Sequence, residues 1–343
     1  MKTIKAEAPT RIDLAGGTLD LPPLYLFHPQ SLTVNAAIDV KARVTISAHE
    51  RVEIVSRDQN ETALYDSPED ISWQEHPRLE LILRLIQSFQ PALPMRVEVT
   101  SEAPAGSGLG GSSVIAIALT AALARWYNRP LSPEELVEHA KSIETQTIRV
   151  PTGYQDYWGA VYGGLHAYEM GLNGKLQRTP LGSKAFLEEL QRHLLLVYVG
   201  VPHFSGANNW ELFKRHIDGD AATVAFFERL KDNALAMKAA LLSADIRQVA
   251  AALNRDWETR RAMLPTMTTP EIDRLIAETF QAGAFGARVC GAGAGGCTVL
   301  LINPDRREAL TALVQQMEMQ VLPANIAGNG VAVHEAIGAG SQG

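Results

Sequence analysis

The chain has little cysteine: two residues in 343, Cys290 and Cys297, too few for a disulfide framework. It has no CxxC or HExxH spacing, so the common ligand patterns for zinc are missing. Basic residues are also in deficit, with 31 Lys and Arg against 38 Asp and Glu and a net charge of −7. That balance argues against nucleic acid, whose binders carry a basic patch. It also leaves no polybasic stretch for an anionic membrane surface. The opening MKTIKAEAPTRIDLAGG lacks the apolar run of a signal peptide. The longest apolar run, near residues 114–123, is too short to cross a bilayer. We therefore expect a home in the reducing cytoplasm.

What is present suits an ordinary globular chain. Hydrophobic residues make up 46% and charged residues 20%, which allows an ample core, and the length suits two domains. VNAAIDVKARVTISA alternates as a strand, with RVEIVSR expected as its hairpin partner. PRLELILRLIQSF has helical spacing, and PMRVEVTSEAP reads as a strand entering a glycine loop. Residues 112–127 are apolar nearly all round, the mark of a buried helix. LSPEELVEHAKSIETQTI opens with Ser132 as N-cap, Pro133 at the first helical position and Glu135 completing a capping box. Pro151 and Gly153 end that helix, and a short one is expected from near Asp156.

Beyond residue 185 the elements alternate again. LEELQRHLLLVYVG ends in a buried strand, and helical stretches follow over about 207–244, 244–264 and 270–282. The strands GARVC and CTVLLI, a helix from Pro304 and a last strand GVAVHEA complete an α+β unit of its own. The expected division is 1–185 and 186–343, with GAGSQG as a disordered tail.

Two glycine loops fit GxGxxG, GSGLGG (Gly106, Gly108, Gly111) and GAGAGG (Gly291, Gly293, Gly296). A dinucleotide site needs strand, loop, helix and then a second parallel strand. After the first loop one helix leads to another with no second parallel strand, and the second loop leads straight into a strand, so neither qualifies. No GxxxxGK[ST] is present either. The first loop still suits phosphate, since glycine amides crowd an anion and the following helix points its positive end there. Ser112 and Ser113 can cap that helix or offer a hydroxyl to Mg²⁺; the alternative is a plain tight turn.

Phosphoryl transfer needs an anion cradle, a divalent cation and a group that orients the attacking hydroxyl. Mg²⁺ takes hard oxygen ligands, often only one or two carboxylates from the protein. Glu144 lies late in its helix and Asp156 sits in the glycine-rich, aromatic GYQDYWGAVYGG. Taken singly, Glu144 also fits a solvated helix face. Near the N-terminus Arg11, Asp13 and Asp20 surround a Gly-Gly bend. Arginine stays protonated and serves to stabilise developing charge or hold a carboxylate ionised; Arg11 and Asp13 can equally form a simple pair. Asp20 can accept hydrogen bonds from a polyhydroxylated substrate.

In order and spacing, APTRIDLAGGTLD, PAGSGLGGSS and CGAGAGGCTVLL resemble the three motifs of the GHMP small-molecule kinases, over about residues 5 to 338. RIDLAGGTLD most resembles the sugar-kinase branch of D-glycero-D-manno-heptose 7-phosphate kinase and L-fucokinase. That branch carries an acid two residues after the arginine and a Gly-Gly pair before a second acid. Mevalonate kinases carry lysine in the first motif, so Arg11 favours a sugar. The resemblance implies an α+β fold of two domains, one like the second domain of ribosomal protein S5 and one ferredoxin-like, with ATP and Mg²⁺ in the cleft. It implies ATP contacts at Pro104, Gly106, Ser107, Gly108, Leu109, Gly110, Gly111, Ser112 and Ser113. Ser112 and Glu144 would hold the metal, Asp156 would receive the acceptor proton beside Arg11, and Asp20 with Gly17, Thr18, Gly153 and Tyr154 would hold the sugar.

The third motif would support the site rather than touch a dinucleotide. Two departures stand out. Gly111 replaces the first serine of the usual pair, leaving Ser112 and Ser113 both eligible for the metal. GGTLD stands where the branch usually carries GGWTD, which changes one pocket wall. The expected activity, in a monomer or homodimer, is phosphorylation of the anomeric hydroxyl of a heptose phosphate or related sugar; a kinase for galactose, fucose or mevalonate and a non-catalytic sensor on the same fold stay open. Of the remaining residues, Trp158, Trp210, Trp257 and AMLPTM read as packing, the two cysteines as small core residues, and Tyr154 or Tyr157 as rings able to stack on a sugar. GVPHFSGANN (His203, Ser205, Asn208) reads as a polar lid or a helix entry.

Overall fold

The computed structural model describes residues 2–200 and 206–337. The first half contains β1 (Lys2–Ala15), α1 (Leu24–Phe27), β2 (Leu32–Ala48), β3 (Val52–Ser56), β4 (Glu61–Tyr65), α2 (Glu80–Ser88), β5 (Met95–Ser101), α3 (Gly111–Trp126), α4 (Pro133–Ile148), α5 (Gln155–Tyr162), β6 (Leu165–Met170) and β7 (Leu176–Pro180). The second half contains α6 (Lys184–His193), β8 (Leu194–Tyr198), α7 (Gly206–Ile217), α8 (Ala221–Leu242), α9 (Ile246–Met263), α10 (Pro270–Ala282), β9 (Ala284–Val289), β10 (Cys297–Ile302), α11 (Arg307–Gln316), β11 (Gln320–Leu322) and β12 (Ala332–Ile337).

Strands β1 and β2 form a long antiparallel pair, from Thr3 opposite Ser47 to Ala15 opposite Val34. The first sheet runs β12-β1-β2-β5-β3-β4, and β6 pairs the other end of β2 and continues to β7. RVEIVSR is not the hairpin partner of β2. Strand β5 lies between them, so β3 runs parallel to β5 and forms its hairpin with β4. Alternation marks a strand and its buried face but carries no information about which strand lies beside it. Helix α3 is buried from Ser113 to Ala124, as a helix without a polar face must be. The α4 capping box is present, with the Ser132 side chain accepting from the Glu135 amide.

In the second half, the sheet order β11-β8-β10-β9 is antiparallel throughout. In chain order this is 4-1-3-2, the ferredoxin-like arrangement. The expected helix over 207–244 is two helices, because Gly219 adopts φ 77° and Asp220 caps α8 through the Thr223 amide. The last strand crosses the division expected at residue 185: β12 pairs with β1, Lys2 opposite Ile337. One apolar cluster also spans both halves, joining Ile12, Leu14 and Val34 to Leu196, Leu241 and Leu253. The halves thus share a core, which fixes the cleft between them. No helix among the described residues is long and apolar enough to cross a membrane.

Leu119 in α3 is fully buried between the first sheet and its neighbouring helices. Leu119→Ala is expected to lower stability by about 2–5 kcal/mol, since the site can collapse little around the void. Denaturant unfolding measures this; a loss below half a kilocalorie would mean that α3 is not the packed centre.

Candidate active site

The cleft holds a cavity of about 580 Å³ lined by residues of both halves. At its centre is the loop between β5 and α3. Gly106, Gly108 and Gly110 all have left-handed φ, at 68°, 74° and 76°, which glycine adopts without steric cost. Gly110 precedes α3 and supplies no side-chain cap, so the first amides of the helix face the cleft as donors for an anion. The second glycine loop packs behind the first, backbone on backbone. A Cβ on Gly108 would lie 2.6 Å from the Cys290 carbonyl oxygen, and one on Gly296 2.6 Å from that of Ser107. The Cys297 amide donates to the Ser107 carbonyl at 2.8 Å. Both cysteines are buried and reduced, as expected for small core residues.

Arg11 on β1 joins the loop to an acid. Its Nη1 donates to the Gly108 carbonyl at 2.5 Å, and its Nε and Nη2 both donate to Oδ1 of Asp156, at 2.8 and 2.5 Å. Asp156 stands in the first turn of α5, with its side chain 24% exposed. Its Oδ2 lies 3.1 Å from where a Cβ on Gly110 would stand, so the carboxylate borders the glycine loop between β5 and α3. Burial raises its pKa above the usual aspartate range, against the opposing pull of Arg11. Asp13 is buried on the other side of Arg11, with Oδ1 3.1 Å from Nε. Its Oδ2 accepts the Gly291 amide at 2.8 Å. Arg11 thus forms the pair with Asp13 that the sequence allowed and contacts Asp156 with the same guanidinium.

Ser112 and Glu144 meet across α3 and α4. Ser112 Oγ donates to Glu144 Oε1 at 2.5 Å, and Tyr157 Oη donates to Oε2 at 2.6 Å. Glu144 is buried, and burial raises its pKa while the Ser112, Tyr157 and Ser113 hydroxyls oppose the shift. It is not the solvated surface charge that its helix position also allowed. Ser112 is exposed to the cavity and Ser113 is buried.

Toward the other end, Asp20 is buried with Oδ2 accepting the amides of Tyr154 and Gln155, at 2.5 and 2.7 Å. Burial again raises its pKa, and these amides oppose the shift. Its Oδ1 has no hydrogen-bond partner among the described residues. Gly153 lies against this carboxyl, where a Cβ would stand within 2.3 Å of Oδ2. Gly17, Thr18 and Gly153 line the cavity. Tyr154 offers no ring face to it: the ring is buried, stacked on Trp158 at 4.8 Å with Lys141 Nζ 4.4 Å over it. Its place in the site is the amide that holds Asp20. Tyr157 is likewise buried and acts through its hydroxyl.

Pro104, Ser107 and Gly111 also line the cavity, whereas Leu109 is fully buried and contributes its carbonyl to the Arg11 amide. Trp158 and Trp257 are buried and Trp210 stacks on Phe213. His203, Ser205 and the tail lie outside the described residues, as does the side chain of Asn208. Sequence reasoning missed Gln155 and Asn209, which line the cavity. It also missed the buried Asp256, Arg260 and Arg288 beside it. Adjacency to Asp156 is the only sequence signal for Gln155, while Asp256 and Arg260 resemble any i,i+4 pair on a solvated helix.

Phosphoryl transfer asks mainly for positioning and charge stabilisation, and this cleft brings together a glycine loop, an arginine and several carboxylates. Residues 79–164 match the GHMP kinases N-terminal domain and residues 237–317 the GHMP kinases C-terminal domain, so the chain carries both domains of a GHMP kinase. It is 28% identical to a D-glycero-alpha-D-manno-heptose 7-phosphate kinase of Campylobacter jejuni, over 96% of this chain and 98% of that protein. It is 24% identical to a bifunctional fucokinase/GDP-fucose pyrophosphorylase of Arabidopsis thaliana, over 87% of this chain but 30% of that protein. The crystal structure of a D-glycero-D-manno-heptose 1-phosphate kinase from Bacteroides thetaiotaomicron superimposes with a TM-score of 0.79 at 23% identity, covering 96% of this chain and 98% of that one.

Gly108→Ala would combine a left-handed backbone with a collision against the Cys290 carbonyl. It is expected to cost about 1–3 kcal/mol of stability and to weaken nucleotide binding. Thermal unfolding and ATP titration check this; unchanged values in both would remove the two-loop seam from the account.

Proposed function

We propose that the protein is an ATP- and Mg²⁺-dependent sugar kinase that phosphorylates the anomeric hydroxyl of D-glycero-D-manno-heptose 7-phosphate or a related sugar. The observation that carries the reading is the Arg11–Asp156 pair against the phosphate loop. Arg11 engages Oδ1 alone, leaving Oδ2 to receive the acceptor proton as the acceptor oxygen bonds to the γ-phosphorus and ADP departs. Its charge also offsets negative charge developing on the transferred group. The glycine loop over 106–111 and the first turn of α3 are suited to the nucleotide phosphates. The raised pKa of Asp156 brings it toward the working range of a base.

Ser112 Oγ and the Glu144 carboxylate are hard oxygen donors in the cavity wall, a donor set that fits Mg²⁺. When bound there, the ion would neutralise charge on the nucleotide phosphates. The exposure of Ser112 favours it over Ser113 for this role. Asp20, with an unpartnered oxygen, suits a hydroxyl-rich acceptor. The Campylobacter relative and Arg11 in the first motif support a heptose phosphate over mevalonate.

The decisive assay is ADP release with ATP and Mg²⁺ over D-glycero-D-manno-heptose 7-phosphate, mannose, mannose 6-phosphate, fucose, galactose and mevalonate. Activity with the heptose and a phosphorus spectrum of an anomeric phosphate are expected; mevalonate as the sole substrate would overturn the sugar reading. Asp156→Asn is expected to reduce kcat by about 10²–10⁴ while ATP affinity stays within a few-fold, and near-wild-type turnover would remove Asp156 from its role. The active form is the carboxylate, so kcat/KM should fall as pH drops through a pKa above the ordinary aspartate value. Glu144→Ala should move the Mg²⁺ titration to higher concentration, and an unmoved curve would reassign the metal.

A further inference from the structure

The turn that follows β1 is held by the second half of the chain. Asp256 and Arg260 lie one turn apart on α9, both buried. Arg260 Nε donates to Asp256 Oδ2 at 2.8 Å and its Nη2 to the Gly17 carbonyl at 2.6 Å. Asp256 Oδ1 accepts the Gly16 amide at 3.3 Å. Gly16 itself is wedged in place, since a Cβ there would lie 2.1 Å from the Leu32 carbonyl and 2.9 Å from Ala234 Cβ of α8.

Thr18, two residues on, is under strain. Thr18 is buried with φ 84°, a conformation that a β-branched side chain resists. Its hydroxyl donates to Asn209 Oδ1 of α7 at 2.9 Å. Such a residue persists when its surroundings over-determine it, and here those surroundings are α7, α8 and α9. Thr18 and Asp20 both line the cavity, two residues apart.

We propose that Arg260, oriented by Asp256, is a positioning residue for the acceptor: it fixes the Gly16–Thr18 turn so that Thr18 and Asp20 present the acceptor to Asp156. This rests on the kinase reading above. Arginine suits the task because one planar fork bridges a carboxylate and a carbonyl, whereas lysine brings a single ammonium. Removing it does not strip Asp256 of counter-charge, because Arg288 Nε is 2.8 Å from the same Oδ2.

The test compares Arg260→Met and Arg260→Lys with the wild type, using D-glycero-D-manno-heptose 7-phosphate as acceptor. Arg260→Met is expected to raise the acceptor KM about tenfold or more with the ATP KM within twofold, and Arg260→Lys to recover part of the loss. Hydrogen exchange should show lost protection in the peptide over residues 16–21 and not in that over 104–113. A folded Arg260→Met with unchanged acceptor KM and unchanged exchange would overturn the proposal, as would equal rises in both KM values. Should wild type fail to turn over the heptose, the substrate reading falls, and the exchange comparison still decides the positioning role. Should Arg260→Met fail to fold, Arg260→Lys decides: a smaller rise in acceptor KM alone, with lost protection over residues 16–21, supports the proposal, and unchanged KM with unchanged exchange overturns it.

Discussion

Four separate segments of the chain converge on the guanidinium of Arg11, and the geometry of the cleft depends on that convergence. It links β1 to the carbonyl of Gly108 in the phosphate loop and to Asp156 at the start of α5. Through Asp13 it also reaches the amide of Gly291 in the second half. Arg11 is buried and its own pKa is raised: burial works against the charge, and Asp13 and Asp156 more than compensate. Taking a charge out of water is costly unless it is paired and hydrogen-bonded. The pairing therefore constrains every segment that contributes to it. An arginine suits this position because its donors are fixed in a plane and remain protonated at any working pH.

The glycine loops supply the complementary constraint. Their backbones approach too closely for a Cβ on either side, so the phosphate loop has a rigid floor without a side chain filling the space needed by a ligand. That floor comes from the β9–β10 hairpin, while α7, α8 and α9 hold the turn after β1. The second half is thus part of the site wall at both ends of the cavity. The shared apolar cluster and the return of β12 to the first sheet keep the two halves from moving as independent bodies on a linker.

Most individual elements were legible before the fold was seen. The capping box before α4, the buried α3 and the break before α5 follow from local chemistry: a hydroxyl and an acid at fixed spacing, an all-apolar surface, a proline and a glycine. The grouping of Arg11, Ser112, Glu144 and Asp156 came from the family resemblance, and the fold brings these residues to one cavity. Less visible were the insertion of β5 beside β3 and the return of β12, since alternation is the same for any partner. Tyr154 shows a similar gap: an aromatic beside an acid suggests a stacking platform, but the ring is consumed by Trp158 and its amide does the work.

What the sequence determined by itself is therefore the set of local states: which segments are helical, where glycine permits left-handed turns, and which residue types can bind an anion or a cation. Tertiary structure alone decided which of those residues meet. Nothing in the local sequence singles out Asp256, Arg260 and Arg288, yet they are buried together against the first motif. Burial and pairing depend on residues more than two hundred positions away, and no local periodicity encodes such a distance.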